Sequence, residues 1–120
     1  MKNKTLVLGA SDNPERYSCM AIKNLRTMGY PVLAVGNKKG LVADAEIADR
    51  PVPDDTIDTI TMYLGAARQK EYYDYILGLK PRRIIFNPGA ENEELAGIAQ
   101  TNDIQTVEAC TLVMLRTGQY

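Results

Sequence analysis

The chain has no histidine among its 120 residues. That removes the commonest general base, the commonest metal ligand, and every Ser-His or Cys-His nucleophile pair. Asp, Glu, Lys and Cys chemistries stay open, but no catalytic apparatus is visible. Cysteine is scarce: Cys19 and Cys110 form no CxxC pair, so neither a disulfide framework nor a zinc site is written here. Net charge is also lacking, at -1 with both signs interspersed, so no basic field attracts nucleic acid. No apolar run reaches transmembrane length and no signal-peptide pattern is present. These absences set the expectation of a cytoplasmic protein with no membrane or nucleic-acid partner. Internal repeats, low-complexity tracts and linkers are absent as well, which fits residues 1–120 as a single domain.

What is present is an alternation of short apolar runs and longer helix-like segments. Thr5-Leu6-Val7-Leu8 reads as a buried strand closed by Gly9. Arg16 to Met28 has helical spacing, with Tyr17, Met20, Ala21, Leu25 and Met28 on one face. Gly29 ends that helix and Pro31 blocks its continuation. Strands are expected at Pro31 to Val35, Ile57 to Leu64, Arg82 to Phe86 and Asp103 to Glu108. Helices are expected at Ala67 to Leu77, after an N-cap at Asn92, and at Cys110 to Arg116. Leu41 to Ala48 fits helix or strand, and the prolines of Arg50 to Asp55 make a loop. Strand-helix alternation predicts an α/β, Rossmann-like three-layer sandwich. Its sheet would have about five mainly parallel strands with helices on both faces.

The informative stretch is Gly9-Ala10-Ser11-Asp12-Asn13-Pro14-Glu15-Arg16-Tyr17-Ser18, between the first strand and the first helix. In doubly wound sheets this loop lies at the carboxyl edge, where ligands bind. Gly9 and Ala10 let the backbone approach a ligand, and Ser11 offers a hydroxyl and an amide. Asn13 suits a helix cap and Pro14 the first helical position. Uncapped amides and the helix dipole favour a diphosphate there, and Arg16 adds a bidentate cation. The bland alternative is a tidy strand-to-helix turn. The loop is neither GxGxxG nor a P-loop, since it has one glycine and no Gly-Lys-Ser/Thr ending.

Gly-Ala-Ser-x-Asn-Pro, then Arg-x-Ser, then a helix ending Gly-Tyr-x-Val, resembles the small single-domain CoA-binding proteins. Those are related in fold to the CoA-binding domain of succinyl-CoA synthetase. Asn87 to Glu94 is similar to that family's loop after a later strand, and Val107 to Cys110 to its final strand, which leads to a cysteine. The resemblance implies that Gly9, Ala10, Ser11 and Asn13 line a pyrophosphate, with Arg16 and Ser18 near it. Gly36, Asn37 and Lys38 would lie by the adenosine, with Lys38 at its 3′-phosphate. The family usually has Asn-Pro there, so Gly36 is a departure. Tyr63 and Leu64 would flank the ligand, and Asn87, Pro88 and Gly89 would wall the pantetheine arm.

The implied function is binding of coenzyme A or an acyl-CoA, as a non-catalytic or regulatory module. An NAD(P)-linked oxidoreductase is the alternative, but its acidic residue after the second strand is replaced by Gly36-Asn37-Lys38. A ligand-free interaction module, such as a homo-oligomer, is the third. Cys110, at the start of a helix, is either a thiol for a mixed disulfide with CoA or a buried small residue. Cys19 reads as packing. Tyr72, Tyr73 and Tyr75 read as a core edge or subunit contact in preference to an adenine platform. Asp54-Asp55 and Glu93-Glu94 read as capping pairs, and Arg82-Arg83 as a solvated rim.

Overall fold

A computed structural model describes residues 2–120. Seven strands form one sheet in the order β3-β4-β2-β1-β5-β6-β7. They are β1 (Lys4–Leu8), β2 (Val32–Val35), β3 (Gly40–Val42), β4 (Ala45–Ala48), β5 (Ile57–Met62), β6 (Arg83–Phe86) and β7 (Gln105–Glu108). Every pairing is parallel except β3 with β4. The helices are α1 (Tyr17–Thr27), α2 (Ala66–Gln69), α3 (Tyr73–Leu79), α4 (Glu93–Thr101) and α5 (Thr111–Thr117). None of the helices among the described residues is long and apolar enough to cross a membrane.

Residue alternation along β1 explains the two cores. Leu6 and Leu8 point to the face covered by α3 and α4, where they meet Ile60, Met62, Ile84, Phe86, Ile76 and Leu95. Val7 points to the other face, with Ala34, Ile22, Leu25 and Leu115 of α1 and α5. Each fully buried Leu or Ile contributes about 1.5–3 kcal/mol. The sheet is therefore sandwiched as expected, with β1 and β6 interior.

The two extra strands come from the ambiguous segment Leu41 to Ala48. It folds as a hairpin in which Val42 pairs with Ala45 across a two-residue turn. Ala43 holds φ 54 in that turn, a conformation that Gly or Asn would have announced and Ala conceals. The turn is held from outside: Arg26 of α1 donates to both Asp44 carboxylate oxygens at 2.7 and 2.8 Å. Where a crossover helix would pack on the other face of this wing lies a 540 Å³ cavity bordered by Leu33, Leu41, Ile47 and Val52.

Other boundaries moved for local reasons. The buried stripe of α1 is Ser18, Cys19, Ala21, Ile22 and Leu25, while Tyr17 and Met28 are exposed. The expected Ala67 to Leu77 helix is broken by a 3₁₀ turn at Lys70–Tyr72, because Gln69 is drawn fully inside. Gly29, at φ 85, closes α1 as expected: its N–H donates to Arg26 O and that of Tyr30 to Leu25 O. Asn92 does cap α4, its Oδ1 accepting from Leu95 N at 3.1 Å. Asp54 is less a cap than an anchor: it pairs with Lys4 at 2.6 Å and accepts from Thr56.

Candidate functional site

β1 has β2 on one side and β5 on the other, so chain direction through the sheet reverses at β1. The loops that leave β1, β2 and β5 enclose a cleft of about 450 Å³ at their carboxyl ends. The first loop is pressed into its neighbours. Gly9 and Ala10 both donate their amides to Val35 O at 2.9 Å. Gly9 adopts φ 91, and a Cβ on it would come within 3.0 Å of Leu64 N. On the other flank, a Cβ on Gly36 would come within 2.3 Å of Ala10 O. Glycine at both places allows three backbones to converge under the cleft.

Beyond Ala10 the loop satisfies much of itself. Ser11 Oγ accepts from Asn13 N at 3.1 Å, Asn13 Oδ1 from Glu15 N at 3.0 Å, and Asn13 O from Arg16 N at 2.9 Å. The expectation that Asn13 caps the helix and Pro14 opens it is therefore corrected. Asn13 caps a separate turn, because its side chain reaches Glu15 before any helix has formed. The cap position belongs to Arg16, at φ -86 and ψ 140, whose side chain caps nothing. The amides of Asn13, Glu15 and Arg16 are thus engaged by the protein. Those of Ser11 and Asp12 have no acceptor among the described residues.

The walls carry charge. Arg16, Lys38 and Arg68 border the cleft, with Asp12 as the one carboxylate. Ion pairs among the described residues involve Lys4, Arg26 and Arg82, all elsewhere, so the cleft cations are not neutralised by protein. Asn37 completes the β2 side, and Tyr63, Leu64 and Gly65 the β5 side. The Tyr63 hydroxyl is buried with no hydrogen-bond partner among the described residues. Burial pushes this phenol up to about 12, so it stays protonated.

Gly9, Ala10, Ser11, Asn13, Arg16, Asn37, Lys38, Tyr63 and Leu64 all border this one cleft. Ser18 is buried in α1 and Gly36 lies beneath the loop, so neither lines the cleft. Asn87 is buried and fully occupied: its Nδ2 donates to Thr61 Oγ1 (2.8 Å) and Met62 O (3.0 Å), and its Oδ1 accepts from Thr111 N (2.8 Å). Pro88 and Gly89 are exposed on the next loop, off this cleft. Sequence reasoning missed Asp12, Gly65 and Arg68. The signal available for Arg68 was a cation within one turn of the strand on the far side of β1.

The fold and the cleft define a doubly wound, Rossmann-like α/β domain with a polar, cationic pocket at its switch point. The CoA binding domain family matches residues 3–116, and the chain belongs to that family. A crystal structure of an uncharacterised protein is 43% identical, covers 100% of this chain and 99% of its own, and superposes with a TM-score of 0.96. A hypothetical protein from Pyrococcus horikoshii OT3 is 21% identical over 97% of this chain and 83% of its own, with a TM-score of 0.86. A Thermus thermophilus structure is 18% identical over 99% and 91%, also at 0.86. Among curated proteins none matches.

Proposed function

We propose that this chain holds coenzyme A or an acyl-CoA in the cleft after β1, as a non-catalytic binding or regulatory module. The observation that carries this reading is the group Arg16, Lys38 and Arg68, without ion-pair partners among the described residues, around a loop whose Ser11 and Asp12 amides lack acceptors among them. Such donors suit a diphosphate. Ser11 and Arg16 would hold it, Asn37 would lie by the adenosine, and Lys38 would meet the 3′-phosphate. Tyr63 and Leu64 would flank the ligand, and the arm would run toward the exposed Pro88 and Gly89. The single opposing group is the Asp12 carboxylate, which the cleft cations outnumber.

The fit is better for CoA than for NAD. A ribose diol wants a carboxylate after β2, and Gly36-Asn37-Lys38 stands there. The cleft residues are mainly donors and cations, with Asp12 as the carboxylate among them, which favours holding an anion.

The test is titration calorimetry with CoA on the wild type and on the Ser11→Ala, Arg16→Ala double variant. A loss of affinity of about tenfold or more is expected from removing a charged fork and a hydroxyl. Unchanged affinity would overturn the site. Mass determination of small molecules released by denaturing the purified protein would identify a resident ligand, and NADH fluorescence would expose the oxidoreductase alternative.

A further inference from the structure

The β5 wall of the cleft is built with unusual rigidity for a segment of one helical turn. Gly65 O accepts from Arg68 N at 3.0 Å and from Gln69 N at 3.2 Å, closing α2. Gln69 is fully buried. Its Nε2 donates to Leu64 O at 2.8 Å and to Ala90 O at 2.7 Å, and its Oε1 accepts from Asn92 Nδ2 at 2.9 Å. A buried amide with both hydrogens and its oxygen matched fixes the backbone around it. Arg68 is the preceding residue. It is exposed, borders the cleft, and pairs with no carboxylate among the described residues.

Strand order β2-β1-β5 sets the sequence of groups along the cleft. Asn37 and Lys38 stand at the β2 end, the Gly9 to Arg16 loop in the middle, and Arg68 at the β5 end. In doubly wound sheets the nucleoside lies toward the strand that follows the phosphate loop. The phosphate farther from the nucleoside then falls toward β5. Resting on the CoA reading above, we propose that Arg68 grips that outer phosphate from the β5 wall, beside Arg16 of the central loop. The pair of guanidinium forks makes the cleft selective for diphosphate-linked nucleotides over those bearing only single phosphates.

The experiment compares two probes: CoA, and adenosine 3′,5′-bisphosphate, which has no outer phosphate. Each is titrated calorimetrically into wild type, Arg68→Gln and Arg68→Lys at physiological salt. Arg68→Gln is expected to weaken CoA by about tenfold or more and the bisphosphate by less than about twofold. Arg68→Lys, which keeps charge but loses the fork, falls between for CoA. Equal losses for both probes would reduce Arg68 to a general field effect and overturn the assignment, as would unchanged CoA affinity in a protein whose wild type binds it. Wild type that binds neither probe would instead sink the CoA reading itself, and Arg68's role with it.

Discussion

The Cα of Gly36 sits directly against the carbonyl of Ala10, so close that a methyl group there would lie 2.3 Å from the oxygen. The end of β2 thus braces the loop after β1 from below. Gly36→Ala must push that loop outward, at a cost of about 1–3 kcal/mol in stability. We expect it to weaken CoA binding while the protein still folds. Calorimetry on the folded variant checks this, and wild-type affinity would show that the loop position is immaterial to the ligand.

Asp12 should act against its own cleft. Asp12→Asn removes the one carboxylate that borders the cleft along with Arg16, Lys38 and Arg68, so CoA is expected to bind about two- to fivefold more tightly, with the gain shrinking as salt rises. A variant that binds more weakly would mean that the carboxylate orients a donor instead of repelling the ligand.

Asn87, just past the end of β6, ties that strand to two elements through the bonds described above: β5 and the first residue of α5. Asn87→Leu strands the Thr111 amide and takes one of two partners from the Thr61 hydroxyl, which keeps Thr111 Oγ1 at 2.8 Å. The expected loss is about 3 kcal/mol, read as a fall in the urea midpoint at constant slope.

Acid should weaken the protein through Asp54. Burial pushes its carboxyl up, but hydrogen bonds from Lys4 and Thr56 pull harder the other way, leaving it at about 2 against an ordinary 3.8. A carboxylate depressed on folding stabilises above its unfolded pKa and loses that contribution as pH falls through the folded one. Asp54→Asn should therefore be less stable than wild type at neutral pH, with the gap closing between about pH 4 and pH 2. A gap independent of pH would assign the difference to packing alone.

Ala43 pays for the hairpin turn with its positive φ. Ala43→Gly relieves that and is expected to raise stability by about 0.5–1 kcal/mol, measured by the thermal midpoint. A lower midpoint would mean that the Arg26–Asp44 contact depends on the methyl.

Much of this architecture was legible because its signals are local. The apolar centres of β1 and β6, Gly29 after α1 and Asn92 before α4 each carry a short-range physical requirement that the structure meets. The hairpin was not legible, since its turn is stabilised by an arginine on a distant helix and not by a turn residue. The helix start was misplaced because Asn13 has two local partners to choose from, and only the packed structure shows that it takes Glu15. The cleft was readable on the loop after β1, where small residues must stand. Asn87 misled because an asparagine beside proline and glycine looks the same whether its amide faces a ligand or locks a helix to a sheet. Arg68 stayed hidden because its importance depends on which strand lies beside β1, a fact of topology and not of spacing.

The missing helix over the β3–β4 wing gives the molecule two mechanical zones. Lys38 and Asn37 lead into that wing, which is packed on one face and borders the open cavity on the other, whereas the glycine-braced loop leaves β1, which is packed on both faces. A nucleotide lying across both would have its base end on a compliant shelf and its phosphates on a stiff one.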